Sequence, residues 1–238
     1  MSLIKSASKL AALAAGMIAT GALAGTIVVR ASGPSATMYP PGKAITAAAI
    51  TLKPGDTLVL LDAKGTHTLS GAGVHAIAGG TASVAPSALG ALIRSSGARQ
   101  VRTGAVRGAL TGPAKSPNLW YVDASRGGTM CVTDPAATNV WRPDMTSAAS
   151  YSIWSGGKNV PLDFAAGQSV RPWPAQLPLT AGARYRLAAP NGAPVEIVVQ
   201  PIGNAGDSAD AVGAALIAKG CTRQLDQLVE AGQATPTG

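Results

Sequence analysis

The sequence predicts a mainly β protein with a small amino-terminal β-barrel-like module, a carboxy-terminal β-sandwich and a carboxy-terminal helical tail. Three observations support this fold class. Short β-type runs alternate with turns rich in Gly, Pro and Asn at intervals of roughly 8 to 12 residues. Charged residues make up only 13% of the chain, too few for helical surfaces covered in ion pairs. Apolar residues follow a helical spacing only in the last part of the chain.

The composition divides the 238 residues into five segments. A signal peptide is followed by a β-module, a basic linker rich in Gly, Ala and Ser, a β-sandwich and a helical tail. Their predicted bounds are 1–24, 25–80, 81–116, 117–203 and 204–238.

A targeting segment opens the chain. Two lysines precede an uncharged run over residues 10–29, and Ala22-Leu23-Ala24, with small residues at its first and third positions, forms a cleavage site before Gly25. We therefore expect a cleaved signal peptide and a periplasmic or otherwise exported protein. The alternative is an inner-membrane anchor through residues 10–29, because the run is about 20 residues long. Only in that case would the protein contact the membrane. The TIVVR sequence that begins at Thr26 is typical of a first strand of the mature protein.

Cys131 and Cys221 are the only cysteines, and both lie in the exported part of the chain. In an oxidising compartment an isolated pair is most simply a disulfide, and closing a loop of roughly 90 residues stabilises a fold by about 4 to 5 kcal/mol. Two free buried thiols are the alternative. A catalytic thiol is disfavoured, because neither cysteine has a histidine nearby in the sequence.

The amino-terminal module is predicted from strands separated by compact turns. Runs of β-branched and apolar residues predict strands over 26–30, 45–52 and 57–61. Between the second and third strands, Pro and Gly in KPGD (53–56) suit the central positions of a type II turn. The DAKG turn that follows and the alternating THTL complete a β-hairpin, and GAGVHAI adds one more short strand.

Glycine and acidic residues mark the turns of this hairpin. The pattern is Gly55-Asp56-x-Leu58, then Asp62-x-x-Gly65-Thr66 and Leu69. It resembles the repeating hairpin of FecR-type periplasmic domains, in which a G-D-x-L strand is followed by a D-G-T turn and a second strand. The resemblance implies a periplasmic β-module related to signalling. The family's amino-terminal segment that contacts a sigma factor has no counterpart here, so we expect no direct anti-sigma role.

The linker is basic and poor in signals for regular structure. Residues 83–117 include no aromatic side chain, so the formal charge of +8 does not indicate a nucleic-acid-binding module. An attraction to anionic lipid or polysaccharide stays open. A short helix is predicted over 87–94 and a returning strand over 101–106. The only basic cluster consists of Arg94, Arg99, Arg102 and Arg107, with Lys115 nearby.

The stretch from Asn118 to Pro143 is the densest in aromatic and β-type residues, and it is predicted to supply the central strands of the sandwich. Further strands are predicted in SYSIWS, VPLDF, ARYRLA and VEIVVQP, whereas three prolines in SVRPWPAQLPL exclude a central strand there. In SYSIWS, Tyr151 and Ile153 alternate with serines, which is typical of a half-buried strand. Most aromatics, including Trp120 and Trp141, should lie in the core.

Four motifs lie in the second half of the chain: WYVDASRGGTMCV, VWRP, WPAQLPL and GCTRQLD. In this combination, the region from Asn118 onward resembles a group of small exported proteins of Gram-negative bacteria. That group carries no established activity, so the resemblance implies architecture and location only.

The tail from Asp207 is predicted to be helical. Asp207 or Ser208 can cap a first helix, Gly220 can end it in a left-handed conformation, and Thr222 can cap a second helix. Apolar residues at helical spacing form a stripe that needs a partner, and the β-sandwich is the nearest candidate. A disulfide to Cys221 would hold the stripe there.

Residues with catalytic or metal-binding chemistry are sparse. His67 and His75 lie near Asp62, but the chain has no third histidine, so neither a metal site nor another cofactor is predicted. There is no phosphate loop and no G-x-S-x-G elbow. Asp123 is the most notable carboxylate. Because Arg126 follows it, we expect a local ion pair or an Asx-type turn there.

Trp154 and Trp173 are the candidates for exposure among the aromatics, and therefore for contact with a ligand or partner. The expected function is a non-enzymatic interaction or scaffold protein of the cell envelope, bound to another envelope protein. A module for cell-wall polysaccharide or peptidoglycan is the alternative. An envelope hydrolase with an unrecognised site is the second alternative, since a dispersed catalytic triad leaves no local motif.

Overall fold

The computed structural model describes residues 25–77, 86–93 and 114–233. Within them the protein is mainly β, as the sequence predicts, with several sheets and two helices near the carboxyl terminus. The predicted signal peptide, the strand over 101–106 and the four-arginine cluster lie outside the described residues. The TIVVR run at the end of the alternative anchor forms a strand, as expected.

Six strands form the amino-terminal region. They are β1 (Thr26–Ser32), β2 (Ala44–Ile45), β3 (Ala49–Leu52), β4 (Thr57–Asp62), β5 (Gly65–Ser70) and β6 (Gly73–Ala76). Four of them make a sheet in the order β2-β1-β4-β5, and β3 pairs with β6 separately. The prediction of a β-barrel-like module is wrong. The strand predicted over 45–52 is split between two sheets, and the described strands form no closed barrel. The two-residue β2 leaves the four-stranded sheet open among the described residues.

A buried aspartate organises the turns at one end of this sheet. Gly55 has a φ of 84°, and the N–H of Asp56 donates to the carbonyl of Lys53 at 3.1 Å, as the predicted type II turn requires. The Asp56 carboxylate accepts the N–H of Lys53 at 2.6 Å and of Ser35 at 2.8 Å. Burial acts to raise the pKa of Asp56, but the hydrogen bonds from Ser35 and Lys53 outweigh it and lower this pKa below its ordinary value.

Eight strands form the carboxy-terminal β region. They are β7 (Val122–Asp123), β8 (Gly128–Val132), β9 (Asn139–Trp141), β10 (Ala149–Ser155), β11 (Lys158–Phe164), β12 (Val170–Pro172), β13 (Arg184–Ala188) and β14 (Val195–Pro201). One sheet has the order β11-β10-β13-β14-β8 and the other β12-β9-β7. The stretch from Asn118 to Pro143 was predicted to supply central strands, and only β9 among its three strands is central. β7 and β8 are edge strands, each paired in parallel with a single neighbour.

The two sheets contribute side chains to one apolar core. Tyr151 and Ile153 of β10 are buried in it, whereas Ser150 is exposed and Ser152 is half-buried, which confirms the predicted alternation. Val140 of the three-stranded sheet and Val199 of the five-stranded sheet are both fully buried there. Trp141 is also buried, as predicted. The proline-rich β12 lies at an edge, where a missing N–H is tolerated.

Three α-helices are present among the described residues. They are α1 (Pro86–Ile93), α2 (Ala209–Ala218) and α3 (Thr222–Gln233). Gly220 has a φ of 70° and ends α2 as predicted. Its N–H donates to Ile217 O at 3.1 Å and the Cys221 N–H donates to Leu216 O at 2.9 Å, which is a Schellman arrangement. Ser208 occupies the N-cap position of α2, but its side chain makes no capping hydrogen bond.

The helices lie between the two β regions. Ile27 and Leu61 of the amino-terminal sheet share an apolar cluster with Leu216 of α2 and with Trp120. The indole N–H of Trp120 donates to the carbonyl of Ile93, at the end of α1, at 2.5 Å. The expectation that the β-sandwich receives the helical stripe is therefore incomplete, because the amino-terminal sheet covers much of it.

Candidate functional site

A cleft of about 410 Å³ opens between α3, β8 and the segment 115–126. We call it the α3 cleft. Its size falls within the range of roughly 300 to 1,000 Å³ that is typical of small-ligand sites. Gly127, Gly128 and Tyr121 form part of the wall. The charged residues that line it are Lys115, Asp123, Arg126, Arg223, Asp226 and Glu230.

One wall of the α3 cleft is shaped by a turn and a close backbone approach. Asp123 Oδ1 accepts both the backbone N–H of Ser125 at 2.8 Å and its hydroxyl at 2.6 Å. Arg126 Nε lies 3.7 Å from Asp123 Oδ2. The expected Asx-type turn and ion pair are therefore both present. A Cβ on Gly127 would lie 2.6 Å from the carbonyl oxygen of Glu196, so glycine is required where this turn meets β14.

The three carboxylates of the α3 cleft each have a cationic partner. The pairs are Asp123–Arg126, Asp226–Arg30 and Glu230–Lys115. Such exposed pairs add little stability, but each carboxylate is engaged in an ion pair with a neighbouring cation. Burial raises the pKa of Tyr121, so its phenol stays protonated at neutral pH. Neither of the chain's two histidines lines the cleft.

Arg223 differs from the other charged residues of the α3 cleft. Its side chain is exposed, and among the described residues it has neither an ion-pair partner nor a hydrogen-bond partner. A Cβ on Gly128 would lie 3.5 Å from Arg223 Nε, so the guanidinium runs along glycine backbone. A guanidinium presents a planar fork of N–H donors that matches a carboxylate. Arg223 is therefore available to bind an anionic group.

Gln224, the next residue of α3, closes the edge of β8. Its Oε1 accepts the N–H of Cys131 at 2.7 Å, and its Nε2 donates to the carbonyls of Cys131 at 2.9 Å and Leu119 at 2.8 Å. β8 pairs with β14 on one side only, so this amide takes the place of a neighbouring strand. The buried backbone groups beside the cleft are thereby satisfied.

The predicted disulfide between Cys131 and Cys221 is formed. It joins β8 to the residue that precedes α3, across a sequence separation of 90 residues. Both cysteines are fully buried in the cluster beneath the helices. The bridge therefore sets the start of α3 against β8, and with it the width of the α3 cleft.

The two tryptophans proposed as contact residues do not share a surface. Trp173 is only 8% exposed, its indole N–H donates to Leu177 O at 2.5 Å, and its ring meets Tyr185 edge-on at 5.2 Å. As a candidate for exposure Trp173 is wrong, because its ring is buried in the core despite the flanking prolines. Trp154 is half-buried on the outer face of β10, with the Arg186 guanidinium 5.8 Å from its ring centroid.

The histidines serve the amino-terminal hairpins. His67 Nε2 lies 3.1 Å from Asp62 Oδ2, and His75 Nε2 lies 3.0 Å from the carbonyl of Gly71. The other oxygen of Asp62 accepts the N–H of Gly65 at 3.0 Å and so closes the turn between β4 and β5. In the part of the chain that the structure describes, no group of three or more His, Cys, Asp or Glu could hold a metal ion.

Sequence reasoning missed the polar face of α3. Arg223, Gln227 and Glu230 recur at helical spacing opposite the apolar stripe, and this pattern was visible in the sequence. It did not indicate a site, because a polar helix face is normally solvated. The second wall of the cleft is about a hundred residues earlier in the chain, and no local motif connects the two.

No protein-family model, no curated protein and no solved structure matches this chain. No helix among the described residues has the length and apolar character needed to span a bilayer.

Proposed function

We propose that the protein is exported to the periplasm and acts there as a non-enzymatic interaction or scaffold module of the cell envelope. The charged and apolar pattern of residues 1–24 supports export. The buried disulfide also supports it, because such bridges persist in oxidising compartments. A role related to FecR-type signalling is part of the proposal, supported by the β4–β5 hairpin and its Asp62 turn.

The α3 cleft carries the proposal. Its carboxylates are engaged in ion pairs and it lacks histidine, so it offers no evident general base, which disfavours the envelope hydrolase. Arg223 instead offers an unengaged guanidinium beside glycine backbone. This arrangement suits recognition of an anionic group on a partner, and an acidic segment of another envelope protein has the required chemistry.

The frame around the cleft is, in our proposal, a two-layer β-sandwich whose open edge is covered by α3. The shared core of the two sheets supports this architecture. The edge strand β8 is closed by Gln224 instead of by another strand. A rigid frame of this kind would hold Arg223 in a fixed position relative to the turn at Asp123.

Site-specific cross-linking tests the proposed contact. A photoreactive residue replaces Arg223 in the full chain, which is expressed in a Gram-negative host and irradiated in intact cells. The matched control carries the same residue at Lys158, which is exposed on the opposite edge strand, β11. We expect a discrete protein adduct from position 223 and none from position 158. Equal adduct patterns from both positions, or no adduct from 223, would contradict the proposal.

Charge reversal tests the role of the guanidinium. Arg223→Glu is expected to lower recovery of the partner by about tenfold, the effect of losing roughly 1.4 kcal/mol in a charge-assisted contact. Lys158→Glu makes the same change in net charge away from the cleft and should leave recovery unchanged. An equal loss in both variants would show that net charge, and not the α3 cleft, governs the interaction.

Trp154 favours a second candidate function, the binding of cell-wall polysaccharide. Its half-buried ring and Arg186 lie together on the outer face of the five-stranded sheet, where a sugar ring could stack. Sedimentation with insoluble peptidoglycan tests this candidate. We expect Trp154→Ala to abolish co-sedimentation. The control Met145→Ala, which also truncates an apolar side chain at the surface, should retain it. Co-sedimentation unchanged in Trp154→Ala would exclude this surface.

A further inference from the structure

A buried carboxylate faces the start of the first strand. Asp210 lies in the first turn of α2 and is only 9% exposed. Its Oδ2 accepts the backbone N–H of Gly25 at 3.0 Å. Its Oδ1 is buried and has no hydrogen-bond partner among the described residues. A half-satisfied buried carboxylate is costly, since the unpaired oxygen has lost its water without a replacement.

Gly25 is also the residue before which the sequence predicts cleavage of the signal peptide. We propose that Asp210 is the acceptor for the free α-ammonium group of Gly25, which forms when the chain is cut between Ala24 and Gly25. The inference rests on the proposed export. It adds a structural role for the new amino terminus.

The reaction is hydrolysis of one peptide bond by a signal-processing peptidase. Water supplies the hydroxyl group that joins the carbonyl carbon of Ala24, the C–N bond breaks, and the remaining proton of the water goes to the nitrogen of Gly25, which leaves as an amine. With an ordinary pKa of about 7.7 to 8, an α-amine takes up a further proton and is mostly an ammonium at neutral pH. No other co-reactant is needed.

Cleavage changes what the nitrogen of Gly25 can offer to Asp210. In the uncut chain it is a neutral amide with one N–H donor, which is already used by Oδ2. As an ammonium it has three donors and a positive charge, so it can bond Oδ1 and Oδ2 together and neutralise the carboxylate. The position of Asp210 in the first turn of a helix also favours its negative charge.

The pair would join two central elements of the fold. β1 begins at Thr26, directly after the new terminus, and lies between β2 and β4 in the amino-terminal sheet. α2 packs on this sheet, with Leu61 and Ile27 beside its Gly213. The ammonium of Gly25 would therefore link the start of β1 to the start of α2. Removal of the signal peptide would add this ion pair to the contact between the two elements.

The processing position is tested on the full chain expressed in a Gram-negative host. Intact mass and amino-terminal sequencing of the purified protein should give Gly25 as the first residue. A chain that starts at any other exported position overturns this inference and leaves the proposed export intact. A chain that retains residues 1–24 and is recovered with the membrane likewise overturns only this inference. A chain that retains them and is recovered in the cytoplasm overturns both, so the two failures are distinguishable.

The pairing is tested by the reactivity of the amine. A pyridine carboxaldehyde, which modifies α-amines selectively, is added to the folded protein and the product is followed by mass. We expect the reaction to be at least about tenfold faster in Asp210→Asn, because an ion pair with charge-assisted hydrogen bonds protects the native amine. Asp207→Asn removes an exposed carboxylate three residues earlier and should react like the native chain. Equal rates in all three proteins would overturn the pairing.

A second measurement uses the native sequence alone, so that it does not depend on folding of the Asp210→Asn variant. The native chain is modified at its α-amine in urea, refolded and melted beside an unmodified sample taken through the same steps. Loss of the charged pair should lower Tm by roughly 5 °C in a domain of this size. Identical melting temperatures would overturn the inference.

Discussion

The helices α2 and α3 contact the amino-terminal sheet and β8 in two different ways. Toward the sheet the contact is close and largely apolar: a Cβ on Gly213 would lie 2.7 Å from Leu61 Cδ2, and one on Gly232 would lie 2.5 Å from Thr66 Oγ1. Toward β8 the contact depends on the disulfide and on the amide of Gln224. The α3 cleft opens only on the second side.

This difference shows which side has room for a partner. A contact in which a single methyl group collides with the neighbouring sheet leaves no space for a ligand, and its strength depends on side-chain volume. A contact made by a few specific bonds can leave a gap beside them without losing stability. The two sides should therefore respond to different substitutions, the first to added volume and the second to lost bonds.

Removing the disulfide should have the largest effect, because it breaks the β8 contact covalently. Replacing both Cys131 and Cys221 by Ala is expected to lower the free energy of unfolding by about 4 kcal/mol, from the chain entropy released by opening a loop that spans 90 residues. Urea denaturation measures the change. A loss below about 1 kcal/mol would mean that the bridge is not what holds α3 against β8.

The oxidation state provides the control for this comparison. The native protein, unfolded without reductant, should show no thiol that can be alkylated, and two after reduction, one at each of Cys131 and Cys221. Two alkylatable thiols without reductant would contradict the bridge. The stability loss would then have to be assigned to packing alone.

Gln224→Met should have the next largest effect and acts on the same side. It keeps the volume of the side chain but leaves the N–H and carbonyl of Cys131 and the carbonyl of Leu119 without their partner. We expect a loss of about 2 to 3 kcal/mol, since buried backbone groups left unpaired are costly. Urea denaturation gives the total, and hydrogen exchange at the Cys131 amide localises it.

Gln227→Met is the matched control on the same helix face. Gln227 makes one hydrogen bond, from Nε2 to the carbonyl of Ser116 at 2.6 Å, and it is only half-buried. Its substitution should cost about 1 kcal/mol or less. Equal losses in the two variants would show that the β8 side does not depend on the specific bonds of Gln224.

Local features of the fold could be predicted because their causes lie within a few residues. Pro and Gly in KPGD, the alternation around Ile153 and the αL position of Gly220 each follow from neighbouring residues. Strand order could not be predicted in this way. β8 pairs in parallel with β14 across a long stretch of chain, and the strand expected over 45–52 divides between two sheets. These pairings depend on tertiary packing, which leaves no local pattern.

The same distinction between local and long-range causes applies to the candidate site. The Asp123–Arg126 wall was predicted, because an Asx turn and an ion pair three residues apart are local. Gln224 was not, since its partner Cys131 is 93 residues away. Trp173 shows that a local signal can also mislead. The flanking prolines indicated an irregular and exposed segment, but the large ring is buried in the shared core.

The smallest expected losses of stability are those of Gly232→Ala and Gly213→Ala, at the contact between the helices and the amino-terminal sheet. At Gly232 an added methyl group would lie 3.0 Å from the backbone nitrogen of Thr66 and would displace its Oγ1, which donates to the carbonyl of Val229 at 3.0 Å. Backbone cannot move aside cheaply, so Gly232→Ala should lower the free energy of unfolding by about 1 to 2 kcal/mol.

At Gly213 the nearest atoms are the ends of two flexible side chains, Leu61 Cδ2 at 2.7 Å and Ile27 Cδ1 at 3.0 Å. Rotamer adjustment can relieve that crowding, and alanine adds about 1 kcal/mol of helix propensity in the interior of α2. Gly213→Ala should therefore stay within about 1 kcal/mol of the native protein in urea denaturation. A larger loss at Gly213 than at Gly232 would mean that the sheet contact is controlled by side-chain crowding at α2, and not by the backbone approach of α3.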